Sequence, residues 1–211
     1  ADGSEAGKAG NGERGVSMSA YRLGIVKKKF AFETGAGIIR AEIIDEGNVR
    51  VHLTTPKDFR RVNSLPLDGA TTDILSINTG VPHAVEFVAN VETVDVFNRG
   101  RALRRHDAFK PAGTNANFVQ IVSENEILLR TYERGVEDET LACGTGATAS
   151  ALLTHVKTGA KGPIRVRVRS GETLTILFTA TGSGDAIAFK DVFLQGPVAL
   201  VYKAELETEL A

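Results

Sequence analysis

One thiol stands at the mouth of a glycine-rich turn. Cys143 is the only cysteine in 211 residues, and it lies in 140-TLACGTGATASAL-152, followed by Gly144-Thr145-Gly146 and then by small, helix-compatible residues. Backbone N–H groups at a helix start lack partners and carry partial positive charge. Glycines let a carboxylate approach them closely. The same field lowers a cysteine pKa, so Cys143 is expected as a thiolate near neutral pH, placed to act as a base on the α-carbon of a bound amino acid. The alternative is an inert, buried cysteine, the commoner fate of a lone thiol. The Gly-Thr-Gly run tips the balance toward the reactive group.

Other polar positions offer recognition. Glu133 and Arg134 are adjacent just before the cysteine, in 130-RTYERGVEDETLACGTG-146. A carboxylate beside a guanidinium can read the ammonium and carboxylate of a zwitterion, or it is a solvated charge pair at a strand end. Asn115 and Asn117, in 113-GTNANF-118, suit neutral recognition of a polar substrate. His83, in 79-TGVPHAVEF-87, is either a substrate neighbour or a satisfied histidine at a strand start. Arg165, Arg167 and Arg169 alternate with Ile164, Val166 and Val168, which puts the arginines on one solvated strand face. Without interleaved aromatics they make no nucleic-acid surface.

The elements that must position these groups are mostly strands. Residues 37–43 and 48–54 flank a turn and read as a hairpin, as do 117–122 with 126–133 and 163–170 with 172–179. Residues 83–88, 186–193 and 198–206 also read as strands. Three helices are expected, over 13–24, 92–106 (interrupted by Gly100) and 147–159. A short repeat links two of them. Placing 5-EAGKAGNG-12 over 139-ETLACGTG-146 matches Glu5 with Glu139, Gly10 with Gly144, Gly12 with Gly146, and Ala9 with Cys143. The chain then has two similar halves, each presenting a glycine turn at a helix N-terminus.

Composition bounds the rest. Apolar residues make up 42% and charged residues 24%, an ordinary globular balance. A net charge of -1 argues against a nucleic-acid or anionic-membrane partner. No apolar run reaches the ~18 residues of a membrane span. A single cysteine forms no intrachain disulfide, which favours a cytoplasmic setting. No signal-peptide pattern is present. The functional-looking loop directly after Ala1, with no methionine, suggests that a segment precedes it.

These residues resemble the diaminopimelate epimerase family: ADGSEA with a GNG turn, GVPHAVEFV, GTNANFVQIV, the ERG–ETLACGTGA run and QGPVALVYKAEL, in the family's order over essentially the whole chain. The resemblance implies an α/β (α+β) fold of two pseudo-symmetric β-barrel domains, each around a central helix. The first domain would comprise residues 1–58, with 196–211 returning to it, and would be incomplete here; the second would comprise 59–195. It implies an isomerase without cofactor or metal, acting on a small amino-acid substrate, with a homodimer left open. Two cysteines would face the α-carbon from opposite sides, one removing a proton and the other returning one. By motif, Cys143 is the second-domain acid/base group. Gly10, Asn11, Gly144 and Thr145 would bind the α-carboxylate. Glu133 and Arg134 would hold the distal amino and carboxyl groups, Asn115 would contact substrate, and His83 would lie near the site.

The departures from the family are specific. Ala9 occupies the position of the family's other catalytic cysteine and has no ionisable atom. Val81 stands where an asparagine usually contacts substrate. Ala9 fits either an engineered replacement or a divergent paralogue, and Lys8 and Gly15, in place of the common Met and Cys, favour divergence. Two further functions stay open: an isomerase of the same superfamily with another amino-acid substrate, and a catalytically silent binding protein.

Overall fold

The structure, a computed structural model, describes residues 10–35 and 37–203. Ala9, and the Glu5 half of the repeat, lie outside the described residues. Within them the chain is α+β, with one twelve-stranded sheet and few helices. Local chemistry explains the hairpins. Strands β1 (Lys29–Thr34), β2 (Gly37–Asp45) and β3 (Asn48–His52) pair antiparallel in order. The β2–β3 turn closes because Asp45 Oδ1 accepts from Gly47 N at 2.8 Å, the local bond that favours aspartate in turns. Ile39, Ala41 and Ile43 of β2 and Val49 and Val51 of β3 alternate into the core.

A second group follows: β4 (Lys57–Leu67), β5 (Ala70–Asn78), β6 (Pro82–Phe87), β7 (Asn115–Ser123), β8 (Glu126–Glu133) and the short β9 (Asp138–Thr140). Strands β6 and β7 run parallel, joined through helix α2 (Val96–Arg105). Finally β10 (Ile164–Arg167), β11 (Thr173–Thr181) and β12 (Ala188–Pro197) carry the sheet back to β3. The full order is β1-β2-β3-β12-β11-β10-β8-β7-β6-β5-β4, with β9 on β8.

Helix α1 (Gly10–Arg22) packs on β2 and β3. Helix α3 (Gly144–Thr158) packs against β5 to β8 and β10 to β12, so the sheet wraps round it. Its composition allows this: ten of its residues are Gly, Ala, Ser or Thr, and strands can approach on all sides. Gly159, left-handed at φ 79°, ends it. Helix α2 covers the opposite face of β7 and β8 over a second core with Phe109, Ala116, Phe118 and Tyr132. Gly100, the residue that interrupts the helical pattern in sequence, is required there. A Cβ on it would lie 2.4 Å from Tyr132 Cβ.

Several expectations change. Both glycine-turn helices begin three residues earlier than periodicity suggests, at Gly10 and Gly144, because the turn itself is the first helical turn. Helix α2 starts only at Val96, since Asp95 caps it by accepting from Asn98 N. The strand expected over 198–206 is not present at 198–203, and 204–206 lie outside the described residues. Leu200, Val201 and Tyr202 are exposed and pair with no strand among the described residues. The arginine stripe faces solvent as expected, opposite buried Ile164, Val166 and Val168.

Candidate active site

The two glycine turns meet. A Cβ placed on Gly10 would lie 3.9 Å from Gly144 Cα, and one on Gly144 would lie 3.7 Å from Gly10 Cα and 3.8 Å from Asn11 Oδ1. The N-termini of α1 and α3 therefore converge, and their unpaired N–H groups create one positive region suited to an anion. Leu194 of β12 packs beneath both glycines, at 3.0 Å from each added Cβ. A methyl group on either glycine would press on the Leu194 side chain and fill the space between the turns to van der Waals contact.

Cys143 is the N-cap of α3 and is 7% exposed. Its Sγ accepts from Gly146 N at 3.4 Å and lies 3.5 Å from Thr145 Oγ1. The expected low pKa is not found. Burial pushes the thiol up to about 11, the Glu133 carboxylate pushes the same way, and the hydrogen bonds from Thr145 and Gly146 only partly offset them. Desolvation outweighs the helix terminus here, so the free site holds Cys143 as a neutral thiol.

Strand alternation supplies the opposite wall. His83 on β6, Asn115 and Asn117 on β7, and Thr131 on β8 lie side by side across the sheet: His83 pairs with Asn115, and Asn117 with Thr131. Asn117, fully buried, anchors them. Its Nδ2 donates to Ala84 O at 3.0 Å and to His83 Nδ1 at 3.2 Å, and its Oδ1 accepts from Thr131 Oγ1 at 3.0 Å. The same Oδ1 sits 2.6 Å from where a Cβ on Gly146 would be, which makes glycine necessary there. Because an amide nitrogen only donates, His83 Nδ1 must be the acceptor and its proton must sit on Nε2. Burial, aided by the Arg134 charge, depresses His83 to about 3 and keeps it neutral. Nε2 has no hydrogen-bond partner among the described residues.

Glu133 ends β8 beside this wall, and Arg134 opens the turn that follows. Arg134 N donates to Asn115 Oδ1 at 2.8 Å, and its Nη1 donates to Ala112 O at 3.0 Å. Asn115 Nδ2 donates to Pro82 O at 2.9 Å. Asn115 thus braces the Glu133–Arg134 corner against the 79–83 loop. Thr79 Oγ1 donates to Thr145 O at 3.0 Å and ties that loop to the start of α3. Ser76, Asn78, His83 and Thr114 help to line a cavity of ≈ 370 Å³, and neither Cys143 nor Glu133 lines it.

The candidate residues Gly10, Asn11, Gly144, Thr145 and Cys143 therefore come together at the helix starts, and His83, Asn115, Glu133 and Arg134 along the adjoining wall. Ala9 lies outside the described residues. Thr79, Thr131 and Arg14 belong to the arrangement and were not singled out in the sequence. Arg14 lies one turn after Gly10, just past the end of the repeat. No group of three or more His, Cys, Asp or Glu that could hold a metal ion occurs among the described residues. No helix among them is long and apolar enough to cross a membrane.

A family described as diaminopimelate epimerase matches residues 75–189, just over half the chain. A diaminopimelate epimerase of Aquifex aeolicus is 49% identical over 211 residues, covering 99% of this chain and 73% of its own. One of Chlorobaculum tepidum is 36% identical over 209 residues, covering 98% and 77%. Among solved structures, a probable proline racemase from Agrobacterium radiobacter superposes with TM-score 0.67 at 16% identity, over 90% of this chain and 65% of its own. A putative phenazine biosynthesis protein from Clostridium difficile superposes with TM-score 0.68 at 12% identity, over 97% and 75%. At such identities the two structures speak for the fold alone.

Proposed function

The chain belongs to the diaminopimelate epimerase family, a family of isomerases, and from that premise we propose that it inverts the α-carbon of LL-diaminopimelate to give the meso form. The reaction would run without a cofactor, in the cytoplasm, and would serve lysine and peptidoglycan synthesis. The observation that carries this reading is the convergence of the Gly10 and Gly144 turns beside Cys143. A substrate α-carboxylate bound to Gly10, Asn11, Gly144 and Thr145 would take up negative charge as the α-proton leaves, and two helix N-termini are suited to stabilise it. Glu133 and Arg134 would bind the distal amino and carboxyl groups, with Asn115 holding that corner. The division into residues 1–58 with 196–211, and 59–195, is part of the same reading.

Proton transfer needs a group on each face of the α-carbon. The raised pKa of Cys143 suits it to the role of donor, because a neutral thiol can deliver a proton to a carbanion. The base would then sit at position 9, where alanine has nothing to offer. We therefore propose that this chain binds diaminopimelate and inverts it slowly. A silent binding protein, or an isomerase with another amino-acid substrate, is the second reading, and Ala9 is the observation that favours it.

The test is conversion of LL- to meso-diaminopimelate in heavy water by the full chain and by its Ala9→Cys variant. The variant should gain inversion by about 10²–10⁴-fold, the usual worth of a positioned acid–base group. Equal rates would remove position 9 from the mechanism. Binding without inversion or α-hydrogen exchange in either protein would favour the silent reading.

A further inference from the structure

One group at the converging turns has no role in the scheme so far. Arg14 lies one turn into α1 and is only 4% exposed. Its Nη2 donates to Asn11 Oδ1 at 3.1 Å and its Nη1 approaches Gly10 O at 3.4 Å. Both acceptors are neutral. Its Nε is buried with no hydrogen-bond partner among the described residues. The guanidinium packs against Gly196 of β12, where an added Cβ would lie 3.3 Å from Nε and 3.4 Å from Cζ and closer still to Leu174 Cδ2.

The sequence repeat sharpens the contrast. The residue matching Arg14 in the second half is Thr148, whose Oγ1 donates to Gly144 O at 2.9 Å. Both side chains reach back to the carbonyl of the turn glycine. A hydroxyl is enough to do that, yet α1 buries a cation for it. Burial works against the charge and lowers the Arg14 pKa, with only partial compensation from Glu172 and Glu13. A buried charge with incomplete partners is costly to the fold. An anion bound at the turns would supply the missing partner charge.

We infer that Arg14 is a positioning residue of the carboxylate cradle, fixing the Asn11 amide and adding positive potential behind the two glycine turns, so that the cradle selects a carboxylate over a neutral ligand of the same shape. With Oδ1 held by Arg14, the NH₂ end of Asn11 is the end left to face a ligand oxygen. The inference rests on the reading that Gly10, Asn11, Gly144 and Thr145 take the α-carboxylate.

Acetate and acetamide, equal in shape and different in charge, test this. Each is titrated into the full chain and into Arg14→Lys, Arg14→Gln and Arg14→Met, following the amide resonances of Gly10, Asn11, Gly144 and Thr145, with thermal unfolding as a check on folding. Arg14→Gln keeps a donor for Asn11 but no charge, so acetate should weaken about tenfold while acetamide is unchanged. Arg14→Lys keeps the charge and should preserve the acetate preference within about threefold. If Arg14→Met does not fold, the Lys and Gln variants decide. An equal acetate preference in all variants, or equal weakening of both ligands, overturns the inference and makes Arg14 a packing residue. No acetate response at these amides in the unsubstituted chain also overturns it. An Arg14-dependent acetate response without preference for diaminopimelate over a mono-amino acid supports the inference while refuting the substrate proposed above.

Discussion

Helix α3 buries every residue from Gly144 to Thr154, whereas α1 buries Gly10, Glu13, Arg14, Ser17 and Met18 and leaves Val16 59% exposed. The two begin with the same glycine turn and converge on the same point. Helix α3 is held there by surrounding strands and carries the thiol. Helix α1 rests on β2 and β3 by one face and carries a buried arginine behind its turn. Similar local sequence thus produces similar backbone, while the surroundings decide what each turn contributes: a buried thiol on one side, a buried cation on the other.

The largest effect expected in this comparison is on packing. Leu152→Ala removes a fully buried side chain from α3 and should cost about 2–5 kcal/mol in denaturant unfolding. Val16→Ala on α1 should change stability by no more than about 0.5 kcal/mol. Similar costs for the two would mean that α1 is as enclosed as α3.

Glycine substitutions sharpen the contrast. Gly146→Ala sets a methyl group against Asn117 Oδ1 and the Cys143 side chain, so it should destabilise by about 1–3 kcal/mol and disturb the cap. Unchanged stability would show that the α3 turn can open without cost.

Acid and base probe the site chemistry. His83 is depressed to about 3 in the fold, below its ordinary value near 6.5, so the unfolded chain binds the extra proton between those limits. Its contribution is complete above about pH 6.5 and falls with acid, by up to about 1.4 kcal/mol per pH unit. Replacing His83 by Gln should flatten that slope. Cys143 runs the other way. Raised to about 11, it contributes fully below the ordinary thiol value and loses that contribution as pH rises toward 11. Alkylation of Cys143 should be slow at pH 7 and accelerate through the same alkaline range; fast alkylation at neutral pH would contradict the buried thiol.

The smallest effect has the opposite sign. Gly15 of α1 has nothing within 4 Å of an added Cβ and lies within a helix, so Gly15→Ala should stabilise by about 0.5–1 kcal/mol. Destabilisation would reveal a neighbour at that face of α1.

Much of this was legible in sequence where one strand face is buried. The β2–β3 hairpin and most of β8 alternate, whereas β7 is buried on both faces from Asn115 to Val119; Asn115, His83 and the Cys143 turn lie in motifs that stand out by type and spacing. The edge strands did not stand out. Strand β4 is mostly exposed, carries Pro66, and bends through Asp58 and Ser64 at positive φ, so it leaves little alternation to read. Strand β1, at the other edge, shows no fully buried residue. Residues 198–202 failed in the opposite direction, being apolar yet forming no strand among the described residues. The raised Cys143 pKa is not legible in sequence, which reveals a helix terminus but not the depth of burial around it. Thr79 and Thr131 were invisible because their roles arise only where distant strands meet α3.

Gly100 touches none of the candidate site residues, yet its missing side chain sets the distance between α2 and Tyr132, the residue immediately before Glu133. Any side chain there must push the helix off the sheet or displace the end of β8. A survey of tolerated substitutions would therefore flag position 100 as intolerant, and a lesion there would masquerade as a defect of the Glu133–Arg134 corner although its origin is the spacing of two layers.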